Sequence, residues 1–331
     1  MKYTYSALLL ALVLLIAMLV NLFASFYNGD DKLTPQGEPR YHFILITQDN
    51  NDPFWTMYKN GATKAGETKN VFVEFVDIKY KDAALTINAV EMAILSNVDG
   101  IALQPFDVKE STEILQKVRD ANITAITFEN DVFYIPEIST VGSNSYEVGF
   151  ASGEMAAAAS GGKADIAVLV NDPGAKDSKQ YNSIKYQGLL EAISKYPEMT
   201  VSQIYTLDTR MFEVDKLTNT ILNENPDIDL IICSDSENTP GVAQVVIDSG
   251  KVGNVKIIGY GAMPQTMNYI KDGVVYGTIA ADSYSIGYNT VIQLADIFDG
   301  KQISEFYNTD IYAITSRNLE EYREIFKTEE K

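Results

Sequence analysis

The chain has very little of the side-chain chemistry on which many metal centres and catalytic triads depend. Its 331 residues include one cysteine, Cys233, one histidine, His42, and one tryptophan, Trp55. One cysteine cannot form an intrachain disulfide, and the count excludes zinc sites built from Cys and His. A Ser-His-Asp triad would need His42, which opens the first predicted strand, at the end away from ligand-binding loops. A hydrophobic core must therefore supply the stability, and a chain of this length can bury one.

Positive charge is also scarce, because 26 Lys and Arg stand against 45 Asp and Glu, a formal net charge of −19. This balance argues against nucleic-acid binding, since phosphates are neutralised by clustered Lys and Arg. Gly259-Tyr260-Gly261 lacks the third glycine of a dinucleotide fingerprint, and the phosphate-loop pattern at 160–164 is equally incomplete. We therefore expect no cofactor, no metal and no enzymatic activity.

One long uncharged run is present, from Ser6 to Phe23. About 20 apolar residues span a bilayer core, and this run is near the lower end of the workable range. Lys2 precedes the run and acidic residues follow it, so the rest of the chain should lie outside the cytoplasm. Bulky residues stand where a cleavage site needs small ones, and no lipid-bearing cysteine follows. We expect a single-pass anchor in the cell membrane at 1–27 and a linker at 28–40; a cleaved signal that leaves a secreted or periplasmic domain is the alternative.

From Tyr41 onward, short β-branched runs alternate with longer helical patterns. The first series predicts strands at 42–47, 71–78, 100–104 and 124–128 and helices at 53–69, 83–96 and 111–121. The second series predicts strands at 165–170, 201–206, 230–233 and 255–259 and helices at 181–195, 212–224 and 240–249. Such alternation builds βαβ units and parallel sheets. We predict an α/β protein of two doubly wound, Rossmann-like lobes whose strand ends enclose one cleft.

The segments after these strands resemble those of a known family. QDNNDPFW follows the first strand, and other segments come in the family order: AITFEND, VGSNSYEVG, KYQGL, IICSDSENTPGV, IIGYGAMP and GTIAADSYSIG. Over about residues 41–316 the chain resembles the type I periplasmic sugar-binding proteins, the ribose, galactose and xylose group. The resemblance implies the type I periplasmic binding protein fold, in which two lobes close over a sugar and no bond is made or broken.

The same resemblance implies a three-stranded hinge, with crossings between the lobes near Ser143, Ala281 and Asp310. The second crossing returns a helix at 284–298 to the first lobe. The implied lobes are residues 41–143 with 282–310, and residues 144–281 with 311–331.

In the first lobe, the resemblance implies ligand contacts in two loops. Phe54 and Trp55 occupy the family's stacking positions, where flat rings suit the apolar faces of a sugar, and Asp52 occupies that of a hydroxyl ligand. The alternative is that the aromatic pair packs under the following helix. Glu129 and Asn130 match an Asp-Arg pair of ribose binders, so a carboxylate acceptor is kept and the guanidinium is lost. Glu129 as a solvated loop acid is the alternative there.

In the second lobe, the implied contacts are more divergent. Ser183 stands where ribose binders have an arginine, with Tyr181 and Lys185 nearby. Arg210 lies next to a family aromatic position, and either enters the cleft or pairs with Asp208 on the surface. Asp235 matches a family Asn or Asp that touches sugar hydroxyls.

Two departures from the family change the expected ligand. Gly261 replaces a frequent carboxylate, and Ala281, followed by Asp282, replaces a hinge glutamine. Each unpaired buried hydroxyl costs about 1–3 kcal/mol, so ribose in its usual pose would lose on the order of a hundredfold in affinity. Either the ligand is not ribose, or Asp282 and Arg210 compensate.

The resemblance leaves two functions open. One is an anchored sensory co-receptor that binds a monosaccharide, a pentose such as xylose first, and presents its closed form to a membrane histidine kinase. The other is the binding component of a sugar ABC importer, with a membrane permease as partner. The predicted anchor favours the sensor, because tethering raises the effective concentration beside a partner.

Overall fold

The computed structural model describes residues 38–48, 52–79, 82–105, 108–129, 138–170, 183–207 and 211–325. The predicted anchor and all but the last residues of the predicted linker lie outside these ranges. Within them, no helix is both long enough and apolar enough to cross a membrane.

A six-stranded sheet organises the first lobe. Its strands are β1 (His42–Gln48), β2 (Phe72–Ile78), β3 (Gly100–Leu103), β4 (Thr124–Phe128), β5 (Ser139–Ser143) and β11 (Phe306–Thr309). They lie in the order β11-β5-β4-β3-β1-β2. The pairs are parallel, with β1 and β2 in register from His42↔Phe72 to Gln48↔Ile78. Its helices are α1 (Pro53–Lys69), α2 (Ala83–Leu95), α3 (Val108–Asp120) and α9 (Ser283–Phe298).

The second lobe contains a similar six-stranded sheet. Its strands are β6 (Lys163–Val170), β7 (Glu198–Thr206), β8 (Leu230–Cys233), β9 (Lys256–Tyr260), β10 (Gly277–Ala281) and β12 (Ile311–Thr315). They lie in the order β12-β10-β9-β8-β6-β7, which matches that of the first sheet. The pairs are parallel except β10 with β12, which is antiparallel. Its helices are α4 (Ser145–Ser160), α5 (Ile184–Ile193), α6 (Met211–Glu224), α7 (Asn238–Asp248), α8 (Pro264–Lys271) and α10 (Leu319–Ile325).

Three connections join the two sheets. Ser143 ends β5, Ala281 ends β10, and Asp310 lies between β11 and β12. The second and third connections touch, because the Asp282 N–H donates to the Asp310 carbonyl at 3.0 Å. The result is the predicted fold class, two doubly wound lobes, each with its own buried apolar clusters on the two faces of its sheet.

Two helix pairs cross so closely that glycine is required at the contact. In the first lobe α1 crosses α9, and a Cβ on Gly61 or Gly287 would lie 2.0 or 1.9 Å from a backbone carbonyl oxygen of the other helix. In the second lobe α4 crosses α5, and the matching distances at Gly149 and Gly188 are 1.7 and 2.1 Å. The helices that follow the first two connections also begin with similar sequences, NSYEVGF at 144–150 and DSYSIGY at 282–288. Each lobe thus contains the same kind of crossing, in which a glycine of each helix faces the backbone of the other.

An ionic cluster fixes the start of β1 to the end of α9. Arg40 contacts Asp299 at 2.5 Å, and Asp296 accepts from Lys69 at 2.5 Å and from Lys301 at 2.8 Å. The hydrogen bond from Arg40 lowers the pKa of Asp299. Burial alone would raise the pKa of Asp296, but the hydrogen bonds from the two lysines outweigh it and lower that pKa. Both carboxylates therefore stay ionised to lower pH than usual.

Candidate functional site

The N-terminus of α1 brings Asp52 to the boundary between the lobes. Pro53 is the first helical residue, where its missing N–H costs nothing, and Asp52 is the N-cap. Its Oδ1 accepts from the Phe54 N–H at 2.9 Å, and its Oδ2 accepts from the Ser236 hydroxyl at 2.5 Å. Ser236 belongs to the second lobe, so this carboxylate joins the loop after β1 to the loop after β8.

The aromatic pair behind Asp52 divides into two environments. Phe54 is half-buried and stacks on Tyr58, with ring centroids 6.2 Å apart. Trp55 is only 6% exposed and meets Phe54, Tyr58 and Phe128 edge to face at 5.0 to 6.0 Å. Phe54 therefore has ring surface to offer a ligand, whereas the packing of Trp55 favours the alternative interpretation, a core residue beneath the helix.

Glu129, at the end of β4, reaches the first connection. Its Oε1 accepts from the Ser143 N–H at 2.7 Å and from the Ser143 hydroxyl at 3.2 Å. Its backbone φ is +46°, a left-handed conformation that costs a non-glycine residue about 1–2 kcal/mol. Gly142 makes room, because a Cβ there would lie 2.9 Å from Glu129 Oε1. Glu129 thus ties the end of β4 to the first connection between the lobes.

Two other predicted acids also have local hydrogen bonds. Asp235 accepts from the Glu237 N–H at 2.9 Å. Asp282 caps α9, accepting from the Ser285 N–H at 3.0 Å and from its hydroxyl at 2.7 Å. Burial and then the hydrogen bond to Asp282 raise the pKa of Tyr312, on β12. Asp282 therefore holds the two connections together from the helix side.

A pocket opens at the carboxyl ends of β6, β8 and β9, beneath α4 and α5. The space in and around it, with open solvent included, is about 390 Å³. The Lys185 ammonium lies 4.6 Å from the centre of the Tyr260 ring, a cation–π contact. Ser183 is the N-cap of α5, since its hydroxyl accepts from the Tyr186 N–H at 3.1 Å, and it also lines the pocket. The described lining includes the apolar residues Val148, Gly149, Val168, Val170, Leu189, Ile232 and Cys233, and the residues with polar groups Ser152, Ser183, Lys185, Tyr186, Ser234 and Tyr260.

Cys233 lines this pocket, and its thiol has low reactivity. It is 2% exposed, and burial raises the pKa of its thiol to about 12. The thiolate that would bind a metal or attack an electrophile is therefore not populated near neutral pH.

The structure places the predicted residues unevenly. Asn130, Tyr181 and Arg210 lie outside the described residues. Asp52, Phe54, Glu129, Asp235 and Asp282 all follow strand ends, and the bond from Ser236 to Asp52 joins the end of β8 to that of β1. Ser183 lines the second-lobe pocket.

Sequence reasoning named Lys185 only as a neighbour of Ser183 and missed Ser236 and Tyr260 as site residues. Tyr260 lies at a strand end, in a segment that carries the resemblance, which is a usable signal. Ser236 has one signal of its own. Gly261 has φ +77°, and a Cβ there would lie 2.5 Å from Ser236 Cβ. Ser236 therefore occupies the space that a side chain at position 261 would need.

Comparison with known proteins agrees with this geometry. The family described as periplasmic binding protein domain matches residues 43–302. A D-ribose/D-allose-binding protein of Pseudomonas aeruginosa is 25% identical, over 89% of this chain and 92% of that protein. The solved structure of GanP, a glucose-galactose binding protein from Geobacillus stearothermophilus, is similar with a TM-score of 0.76 at 23% identity, over 84% of this chain and 98% of that one.

A second solved structure, the XylFII–LytSN complex, contains a similar chain with a TM-score of 0.73 at 22% identity, over 84% of this chain and 98% of that one. The Pseudomonas aeruginosa protein and GanP are named as binding proteins and not as enzymes, which confirms the prediction of a protein without catalytic activity. The family match covers most of the chain and includes the strand-end loops that carry the resemblance. The chain therefore belongs to the periplasmic binding protein family and has its type I, two-lobed fold.

Proposed function

We propose that the chain binds a monosaccharide between its lobes and presents the closed, occupied form to a membrane partner. The observation that carries the proposal is the meeting of the two sets of strand ends, where Asp52 touches Ser236. Phe54 supplies an aromatic surface on one side, and the second-lobe pocket supplies hydroxyls, an ammonium and a phenol ring on the other. Such a surface complements a sugar, which presents apolar faces and a rim of hydroxyls. The relative named for D-ribose and D-allose supports the same ligand class.

A pentose such as xylose is the favoured ligand. Gly261 and Ala281 offer no side-chain polar group, and Asp282 is engaged at the N-terminus of α9. A small sugar with fewer hydroxyls to satisfy fits this reduced set of partners better than a hexose, because an unpaired buried hydroxyl costs about 1–3 kcal/mol.

Titration of the full-length chain with D-xylose, D-ribose, D-galactose and D-glucose tests the ligand. The readouts are Trp55 emission, which has no competing tryptophan, and calorimetric heat. We expect saturable binding with a pentose. Phe54→Ala should weaken that binding by about fivefold to a hundredfold, since one aromatic contact contributes about 1–3 kcal/mol. Saturable binding of a hexose alone would overturn the pentose preference, and no binding by any sugar would overturn the proposed ligand class.

For the partner, we propose a sensory co-receptor of a histidine kinase rather than an importer component. The fold serves both roles, so it does not decide between them. The similarity to a chain of the XylFII–LytSN complex supports association with a second protein. Photocrosslinkers on the exposed faces of both lobes, in the chain's own membranes, test this. Sugar-dependent crosslinks to a kinase are expected, and crosslinks to a permease would overturn the sensor role.

A further inference from the structure

One side-chain pair spans the two lobes. Asp52 is held by the first lobe, because its Oδ1 caps α1 through the Phe54 N–H. Its Oδ2 accepts from Ser236 Oγ at 2.5 Å, across 184 positions of sequence. An O–H donor on a carboxylate makes a charge-assisted bond, which is about twice as strong as a neutral one.

The second lobe is shaped to receive this bond. Gly261 lies at the end of β9, and a Cβ there would lie 2.5 Å from Ser236 Cβ. The Gly261 backbone is itself fixed, since its N–H donates to Ile279 and its carbonyl accepts from the Thr278 hydroxyl at 2.7 Å. Any other residue at 261 would displace Ser236 from the boundary.

An apolar contact accompanies the polar one. Met57, on α1, packs against the buried cluster of the second lobe that includes Val214 and Ala262. Closure thus joins an apolar contact and a charged hydrogen bond, and neither of them uses a ligand atom.

We propose that Asp52 and Ser236 form an interlobe latch, which stabilises the closed cleft before a ligand is bound and thereby sets both ligand affinity and ligand-free closure. Asp52 is then a positioning residue for closure in addition to its predicted contact with the ligand. The effect on affinity rests on the proposed function, whereas the effect on closure does not. Because affinity falls in proportion to the closed fraction, loss of the latch through Ser236→Ala weakens binding without removing a predicted ligand contact. A bond to a charged group predicts a change of about tenfold to a hundredfold in the closed-to-open ratio.

Pulsed electron spin resonance on the full-length chain measures closure directly. Spin labels on Asn88→Cys in α2 and Lys216→Cys in α6 lie on exposed positions of different lobes, and Cys233 is buried and stays unlabelled. Without sugar, the latch predicts a dominant short distance. Ser236→Ala should move the population to longer distances, whereas the control Ser249→Ala, at the other end of α7, should not.

Asp52→Asn supplies a second, graded variant. Asparagine also caps helices well, so α1 is retained, but a neutral acceptor forms a weaker bond to Ser236. We expect an intermediate distance distribution, and a matched Asp82→Asn, which changes the N-cap of α2 away from Ser236, should leave the distances unchanged.

Sugar titration of the same variants separates the latch from the proposed function. If Ser236→Ala opens the ligand-free chain and lowers sugar affinity about tenfold or more, the latch is supported in full. If the distances shift and no sugar binds any variant, the latch stands and the proposed function fails. Identical ligand-free distances in the parent chain, Ser236→Ala and Asp52→Asn would overturn the latch, whatever sugar binds.

Discussion

Gly287→Ala tests the helix crossing of the first lobe. The added Cβ would lie 1.9 Å from the backbone carbonyl oxygen of Tyr58 and 2.7 Å from its carbonyl carbon. Both are backbone atoms, which a change of side-chain rotamer cannot move. Ordinary contact at 3.4 Å requires α1 and α9 to separate locally by about 1.5 Å. Separation at this buried contact loses packing along both helices.

The sign follows from two opposed effects. Overpacking a close contact costs about 3 kcal/mol or more when backbone must move, while glycine to alanine in a helix returns about 1 kcal/mol. We therefore expect a loss of about 2 kcal/mol in the free energy of unfolding, or a fall of about 4–8 °C in melting temperature. Urea unfolding and scanning calorimetry on the full-length chain measure it.

Gly241→Ala is the matched control, because it is also a glycine inside a helix. The nearest atom to its added Cβ is the methyl group Cγ1 of Val214, 3.0 Å away, and that side chain can give way. The helix propensity gain should then leave Gly241→Ala within about 1 kcal/mol of the parent chain. Equal stability of Gly287→Ala and Gly241→Ala would refute the argument that the crossing depends on backbone contact.

Two further predictions concern charge and strain. Since the folded-state pKa values of Asp296 and Asp299 are lowered, their stabilisation is present above the unfolded pKa of about 4 and is lost as the pH falls through the folded values. Exchanging both for Asn should flatten the fall in melting temperature between about pH 5 and pH 3, and an unchanged slope would contradict this. Glu129→Ala removes the acceptor for Ser143 but keeps a Cβ at φ +46°, so the free energy of unfolding in urea should fall by about 2 kcal/mol. Glu129→Gly should lose about 1 kcal/mol less, because glycine adopts this backbone conformation without strain. Equal stability of the Ala and Gly variants would contradict this.

The sequence predicted the layered fold in detail because apolar β-branched runs have little freedom in parallel sheets. The strands at 124–128 and 230–233 and the helix at 53–69 have the bounds predicted for them. Helix ends were less predictable, since side-chain caps decide them. The helix predicted from 181 begins, as the structure describes it, at Ile184, where Ser183 caps it. Strand β5 has the sequence STVGS at 139–143, and its apolar pattern is too short to be recognised on its own.

The site was less predictable than the fold. Sequence order places Asp52 and Asp235 at strand ends, but it does not show which oxygen is already bonded. The bond from Ser236 to Asp52 depends on how two lobes meet, and no local pattern contains that information. The burial of Trp55 depends on Tyr58, one turn further along α1, and on Phe128, which β4 brings from another part of the sequence.

The ionic cluster around Asp296 and Asp299 has a mechanical consequence. It locks Arg40, the residue through which the chain enters β1, to the far end of α9, so a force applied through the preceding segment is delivered to the first lobe as a whole. If that segment is held at a membrane, the first lobe stays in place and the second lobe moves when the cleft opens or closes. A partner that measures occupancy would then receive the larger displacement by touching the second lobe.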